Sequence, residues 1–116
     1  MPSTRPHEIY LASFPYGDAA GMKLRPVLAL TGPLGNLPEI LVAYISSVMP
    51  GQLLPTDIVL DPKSPEHAST HLKTQSVLRL HKLATIHVQN IVRRLGNLSP
   101  TVTAAVDDKL RSLLSL

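Results

Sequence analysis

Six short apolar stretches, most of them opened or closed by proline or glycine, lead up to Leu98, and a single helical stripe follows them. Glu8–Phe14 (EIYLASF) predicts a first strand ended by Pro15. Pro26–Thr31 predicts a second strand, and Gly32–Asn36 has loop chemistry. Pro38–Ser47 is the longest candidate, and its unbroken apolar run predicts cover on both faces. Pro50 and Pro55 bracket a turn before a short strand at Thr56–Leu60, and 61–74, with Pro62 and Pro65, reads as a loop. Val77–His87 returns to β character. Alternation there puts Val77, Arg79 and His81 on one face and Leu78 and Leu80 on the other. Ile91–Leu98 predicts a last strand in which Gly96 marks a bulge or a close approach.

The helix is the clearest element. Ser99 is placed to cap it, and Pro100 falls at the first helical position, where its missing N–H costs nothing. Val102, Ala105, Val106, Leu110, Leu113 and Leu114 then recur at three- and four-residue steps as one stripe. Asp107 and Arg111 are spaced for an i,i+4 pair. Residues 1–7 read as a short polar arm that frays. Short strands plus one terminal helix predict a mainly β fold, a small, strongly bent sheet or barrel capped by the helix, as a single domain over 1–116.

Composition narrows the function classes. With one Phe, three Tyr and no Trp, aromatic stacking is not the main way of binding bases. A formal charge of +3 is a mild basic bias compatible with RNA. Zero cysteines exclude disulfides, thiolate metal sites and a cysteine nucleophile. No apolar run approaches the roughly 20 residues of a membrane span, and Met1–His7 lacks the apolar core of a signal peptide, so a cytoplasmic location is expected.

The chemistry centres on the joint between a glycine-punctuated loop, Gly17–Gly21, and the second strand. Pro26 forces Arg25 into an extended conformation, so its guanidinium leaves a rigid strand end. A planar, permanently charged fork suits phosphate or carboxylate, although a solvated surface arginine is the bland alternative. The loop is neither of the common phosphate-binding glycine motifs and leads into a strand, so no nucleotide cofactor is expected. His67 and His71 have i,i+4 spacing, but Pro65 argues for a loop and no third ligand is near, so no metal site is expected. A metal-free attack on RNA asks less of the chain, because the 2′-hydroxyl is already the nucleophile. The protein supplies proton transfer and positive charge. Arg25 and Arg79 fit the charge, His81 the proton and Ser46 a hydrogen bond to phosphate. Pattern alone equally allows Arg79 and His81 to be the outer face of an ordinary strand.

Six segments, in order, resemble a family. Glu8–Leu11 followed by Phe14, Lys23–Leu30 (KLRPVLAL), Leu41–Ser47 (LVAYISS), Pro55–Ile58, Ser76–Thr85 (SVLRLHKLAT) and Ile91–Pro100 (IVRRLGNLSP) are similar to those of MazF/PemK-type toxins, the ribonuclease half of type II toxin–antitoxin pairs. The resemblance implies an SH3-like barrel with a C-terminal helix, a homodimer, a cognate antitoxin, and cofactor-free cleavage of single-stranded RNA to a 2′,3′-cyclic phosphate and a 5′-hydroxyl. By position it implies catalytic roles for Arg25, Ser46 and Arg79, with Lys23, Asp18 and Ser47 as RNA contacts. Three departures stand out. His81 occupies a position where one branch usually has Asp, Val48 stands where Gln is common, and His7 replaces a Gly. An imidazole at 81 still serves as a proton carrier, with a charge that depends on pH. A non-catalytic reading stays open, in which the chain is a gyrase-poison-like toxin or an antitoxin-sequestering module, since one fold hosts both.

Overall fold

A computed structural model of the chain describes residues 4–14 and 23–116. The strands are β1 (Glu8–Phe14), β2 (Lys23–Ala29), β3 (Glu39–Ser46), β4 (Asp57–Leu60), β5 (Ser76–His87) and β6 (Ile91–Asn97), followed by helix α1 (Pro100–Leu114). All six lie in one antiparallel sheet of order β4–β5–β3–β2–β1–β6, with β4 and β6 at open edges. The expected mainly β architecture with a terminal helix is therefore observed, as a barrel-like sheet that does not close.

β2 begins three residues earlier than its apolar run, because Lys23, Leu24 and Arg25 pair with Phe14, Ser13 and Ala12. Pro26 is tolerated inside it because the β2–β3 ladder starts only at Val27. The β3–β5 register is broken where the site lies. One step on β3, from Ala43 to Tyr44, faces four steps on β5, from Leu83 to Arg79, so Leu80, His81 and Lys82 form a bulge.

The strands' alternation feeds two cores. Ile9, Leu28, Ala43, Ile45, Leu60, Leu78 and Leu80 pack with Leu98, Val102 and Val106, so α1 covers this face. The other face carries a cluster that includes Tyr10, Val27, Val42, Tyr44 and Ile86, with Val88 from a 3-10 turn, Val88–Asn90. Ser99 caps α1 through Val102 N at 3.3 Å, as its sequence requires. The stripe is buried at Val102 and Val106, while Leu113 and Leu114 are exposed.

Three expectations change. The 61–74 segment contains a 3-10 turn, Pro65–Thr70, because β6 holds it closely. Ser69 Oγ donates to Asn97 O at 2.9 Å, His71 Nδ1 lies 2.9 Å from Leu95 O, and a Cβ on Gly96 would collide with the Ser69 and Thr70 carbonyl oxygens. Gly96 thus marks a close approach. Residues 4–7 are not a frayed arm. Thr4 is buried, Arg5 N donates to the Tyr10 hydroxyl at 3.1 Å, and His7 N donates to Ala29 O at 2.8 Å. His7 takes φ 70°, in the left-handed region that favours glycine. Finally, Asp107 turns to His7 Nε2 at 3.4 Å, and Arg111 pairs with Asp108 in place of Asp107.

Candidate active site

Strand alternation and register assemble the site on the face of the second core. Val27 pairs with Tyr44, so two further residues along each strand bring Arg25 level with Ser46 on that face. Lys23 precedes Arg25 by two and shares its side of β2. Tyr44 in turn faces Arg79 of β5, and Arg79 faces Asp57 of β4. Arg25 and Arg79 lie two strands apart, about 10 Å at the usual strand spacing.

The β2–β3 half is sparsely bonded. Arg25 is half-buried, and its Nε is shielded from solvent with no acceptor among the described residues. Such a donor is costly to leave unpaired, so an anion entering here gains a prepared partner. The Ser46 hydroxyl accepts from Val48 N at 3.1 Å and lies 3.3 Å from Val48 O as donor, closing a small turn at the strand end. Releasing Val48 O frees that proton for a phosphate oxygen while the Val48 N–H still fixes the oxygen in place.

The β4–β5 half is densely bonded. Arg79 Nε donates to Asp57 Oδ1 at 3.1 Å and Nη2 to Oδ2 at 3.2 Å, a two-point clamp on a carboxylate with no exposed surface. His81 Nδ1 lies 3.9 Å from Asp57 Oδ1, within ion-pair reach when the ring is protonated. Leu54 N also donates to Asp57 Oδ2 at 2.8 Å. Burial alone would raise the Asp57 carboxyl; the Leu54 N–H and the Arg79 guanidinium outweigh it and hold the group below the usual carboxylate range. Lys82, from the same bulge, sits 6.0 Å from the Tyr44 ring centre and adds positive charge.

The structure thus brings Arg25, Ser46, Arg79 and His81 to one face, with Lys23 at its loop end. It does not bring Ser47 there. Ser47 follows the strand on the opposite side and lines a 340 Å³ groove with Leu11, Pro26, His71 and Arg93. Asp18 lies outside the described residues. Asp57 is the site residue that sequence reading missed. The signal was its place in the Pro55–Ile58 segment, but nothing in the linear chain pairs it with a residue 22 positions on. Among the described residues no three His, Asp or Glu side chains converge to hold a metal, and His71 Nδ1 is engaged by Leu95 O.

The comparisons with known proteins now bear on this geometry. A family model described as PemK-like, MazF-like toxin of type II toxin–antitoxin system matches residues 5–114. The chain belongs to that family. The PemK/MazF likeness extends to solved structures. The Mycobacterium tuberculosis toxin MazF-mt6 is 26% identical, with 94% of this chain and 97% of that one covered at a TM-score of 0.72. MazF from Deinococcus radiodurans covers both chains fully at 19% identity and a TM-score of 0.73, a likeness of fold. An endoribonuclease in complex with its cognate antitoxin, from a mycobacterial species, matches over 97% of this chain and 96% of that one, at 15% identity and a TM-score of 0.71. No curated protein sequence matches the chain. No helix among the described residues is long and apolar enough to cross a membrane.

Proposed function

We propose that this PemK/MazF-family toxin is an endoribonuclease that cuts single-stranded RNA without a metal ion. The observation that carries the reading is the convergence of Arg25, Ser46, Arg79 and His81 on one face, with a buried guanidinium nitrogen at Arg25 that meets no acceptor among the described residues. The 2′-hydroxyl attacks the adjacent phosphorus. The O2′–P bond forms, the P–O5′ bond breaks, and the products are a 2′,3′-cyclic phosphate and a 5′-hydroxyl. His81 takes the 2′-hydroxyl proton and later returns it to solvent, and the departing O5′ takes a proton from water. Arg25 donates to the non-bridging oxygens where negative charge grows, Ser46 orients the same phosphate, and Arg79 adds charge beside it. Lys23, on the same side of β2 as Arg25, and Asp18 serve as further RNA contacts in this reading, and Ser47 would contact RNA only from the opposite side, at the groove it lines.

The family and the antitoxin-bound relative support a cognate antitoxin as partner, with a homodimer and a cytoplasmic site of action. The test is incubation of the purified protein and its Arg25→Ala variant with a long single-stranded RNA in EDTA, followed by mapping of the ends. Discrete cuts with cyclic-phosphate ends, lost in the variant, are expected. No cuts at any pH would turn the reading to a toxin that acts by binding a protein.

A further inference from the structure

We propose that Asp57 is the positioning residue of this centre: its buried carboxylate clamps Arg79 at two points and turns the His81 ring so that Nδ1 keeps its proton and Nε2 faces the RNA. The proposal rests on the ribonuclease reading above and assigns a role to a residue that reading leaves unused.

Three features of the geometry point to it. Asp57 opens β4 directly opposite Arg79, and Leu54 N and Arg79 Nη2 share its Oδ2 while Arg79 Nε takes Oδ1. A clamp through Nε and Nη2 leaves the Nη1 edge of Arg79 outside it, so a guanidinium on a two-carbon-longer tether than the carboxylate is held in one plane. The β5 bulge then places His81 with Nδ1, the nearer nitrogen, 3.9 Å from the same Oδ1. A fixed negative charge beside Nδ1 favours a proton there, which leaves the lone pair at Nε2, the nitrogen that takes a proton. The His81 side chain is 28% exposed and Asp57 is not exposed at all, so the imidazole reaches solution and the carboxylate does not. Asp57 therefore acts through its neighbours and never touches substrate.

The charged and titratable groups around His81 among the described residues are Asp57 on β4, Arg79 and Lys82 on its own strand and Tyr44 on β3. Lys109 of α1 stands further off, bonded to Pro55 O. Of these, Asp57 alone is a carboxylate, so its removal leaves only cations as charged neighbours of the ring.

Two measurements test the role. The first is the ¹⁵N chemical shifts of His81 in the full, unaltered protein above pH 8, which report the tautomer of the neutral ring. The Nδ1–H form is expected, and the Nε2–H form would overturn the proposal. The second is cleavage by Asp57→Asn, which keeps an acceptor for Leu54 N but removes the charge. The expected result is a fall of about 30-fold in kcat, part of the hundredfold or more that a proton carrier contributes, with KM little changed. In a His81→Asn background the same substitution should cost much less, because the residue it positions is gone. Cleavage within twofold of the unaltered protein, or an equal loss in both backgrounds, would overturn the proposal. If Asp57→Asn does not fold, the tautomer decides. If the unaltered protein cuts no RNA, the ribonuclease reading fails, and the tautomer still decides whether Asp57 orients His81.

Discussion

Arg25 on β2 and Arg79 on β5 lie on one face of the same sheet, yet their surroundings are opposed. The Nε of Arg25 is buried with no acceptor among the described residues, whereas Arg79 spends two N–H groups on a carboxylate that is itself fully buried. An arginine already paired with a carboxylate has part of its charge offset, and much of its value lies in direction. An arginine with an unanswered donor has the reverse character: its environment is completed by an anion that arrives from outside. In the proposed reaction one half of the site receives a phosphate and the other holds a proton carrier still. The fold keeps them apart by two strands, so that the receiving cation is not neutralised by Asp57.

The two arginines can be compared directly by deletion. Arg25→Ala should lower cleavage by about 10²–10³-fold, the usual effect of losing a preorganised charge stabiliser, with a melting temperature close to that of the unaltered protein. Arg79→Ala should lose cleavage and also about 3 kcal/mol of stability, because it strands the Asp57 carboxylate in the interior. Equal stability of the two variants, read by chemical denaturation, would break the distinction.

Acid should separate the halves next. The Asp57 carboxyl is held below its usual range, so its pairing contributes stability that is fully present above the unfolded carboxylate value of about 4 and is lost as pH falls through the lower folded value. Glu8 behaves in the same sense. Burial would raise its carboxyl, but bonds from the Tyr10 hydroxyl and Arg94 hold it down. Melting temperatures taken between pH 7 and pH 2 should therefore drop more steeply below about pH 4 for the unaltered protein than for Asp57→Asn. Parallel curves would mean that the carboxylate is not held by its partners.

Ser46→Ala is the milder probe of the β2–β3 half. It removes the acceptor of Val48 N, at a cost of about 1 kcal/mol, and should slow cleavage by about tenfold, one neutral hydrogen bond to phosphate being worth about that. Unchanged cleavage would assign Ser46 to the turn alone. The smallest effect is expected outside both halves, at His7→Gly. Relief of the left-handed φ is offset by the lost contact with Asp107 and by a freer unfolded chain, so stability should rise by no more than about 1 kcal/mol, with cleavage unaltered. A larger gain would show that strain at the start of β1 is greater than its φ of 70° implies.

Much of this molecule was legible in the linear chain where the cause is local. Ser99 and Pro100 start α1 where capping chemistry says they must, and Glu8–Phe14 is a strand over the span its residues predict. Period-two alternation put Leu78 and Leu80 in the core and left Arg79 and His81 for the opposite side, where both reach Asp57. Where reading failed, a contact from far along the chain had overridden local preference. Residues 4–7 look free until Tyr10 and Ala29 hold them, and 61–74 looks like plain loop until β6 approaches at Gly96. Asp107 seemed committed to Arg111 until His7 was placed beside it.

By itself, then, the sequence determined the mainly β pattern, the capped terminal helix and an extended Arg25 before Pro26, because these follow from backbone preferences within a few residues; that Arg25 lies inside β2 and not at its end came from pairing with β1. Only the tertiary structure decided that Arg79 is clamped by a carboxylate while the Nε of Arg25 meets no acceptor among the described residues. That depends on the β3–β5 bulge and on the pairing of β4 with β5, which set a carboxylate beside Arg79 and His81. Charge pairing acts through space over a few ångströms, and spacing along the chain carries no record of it.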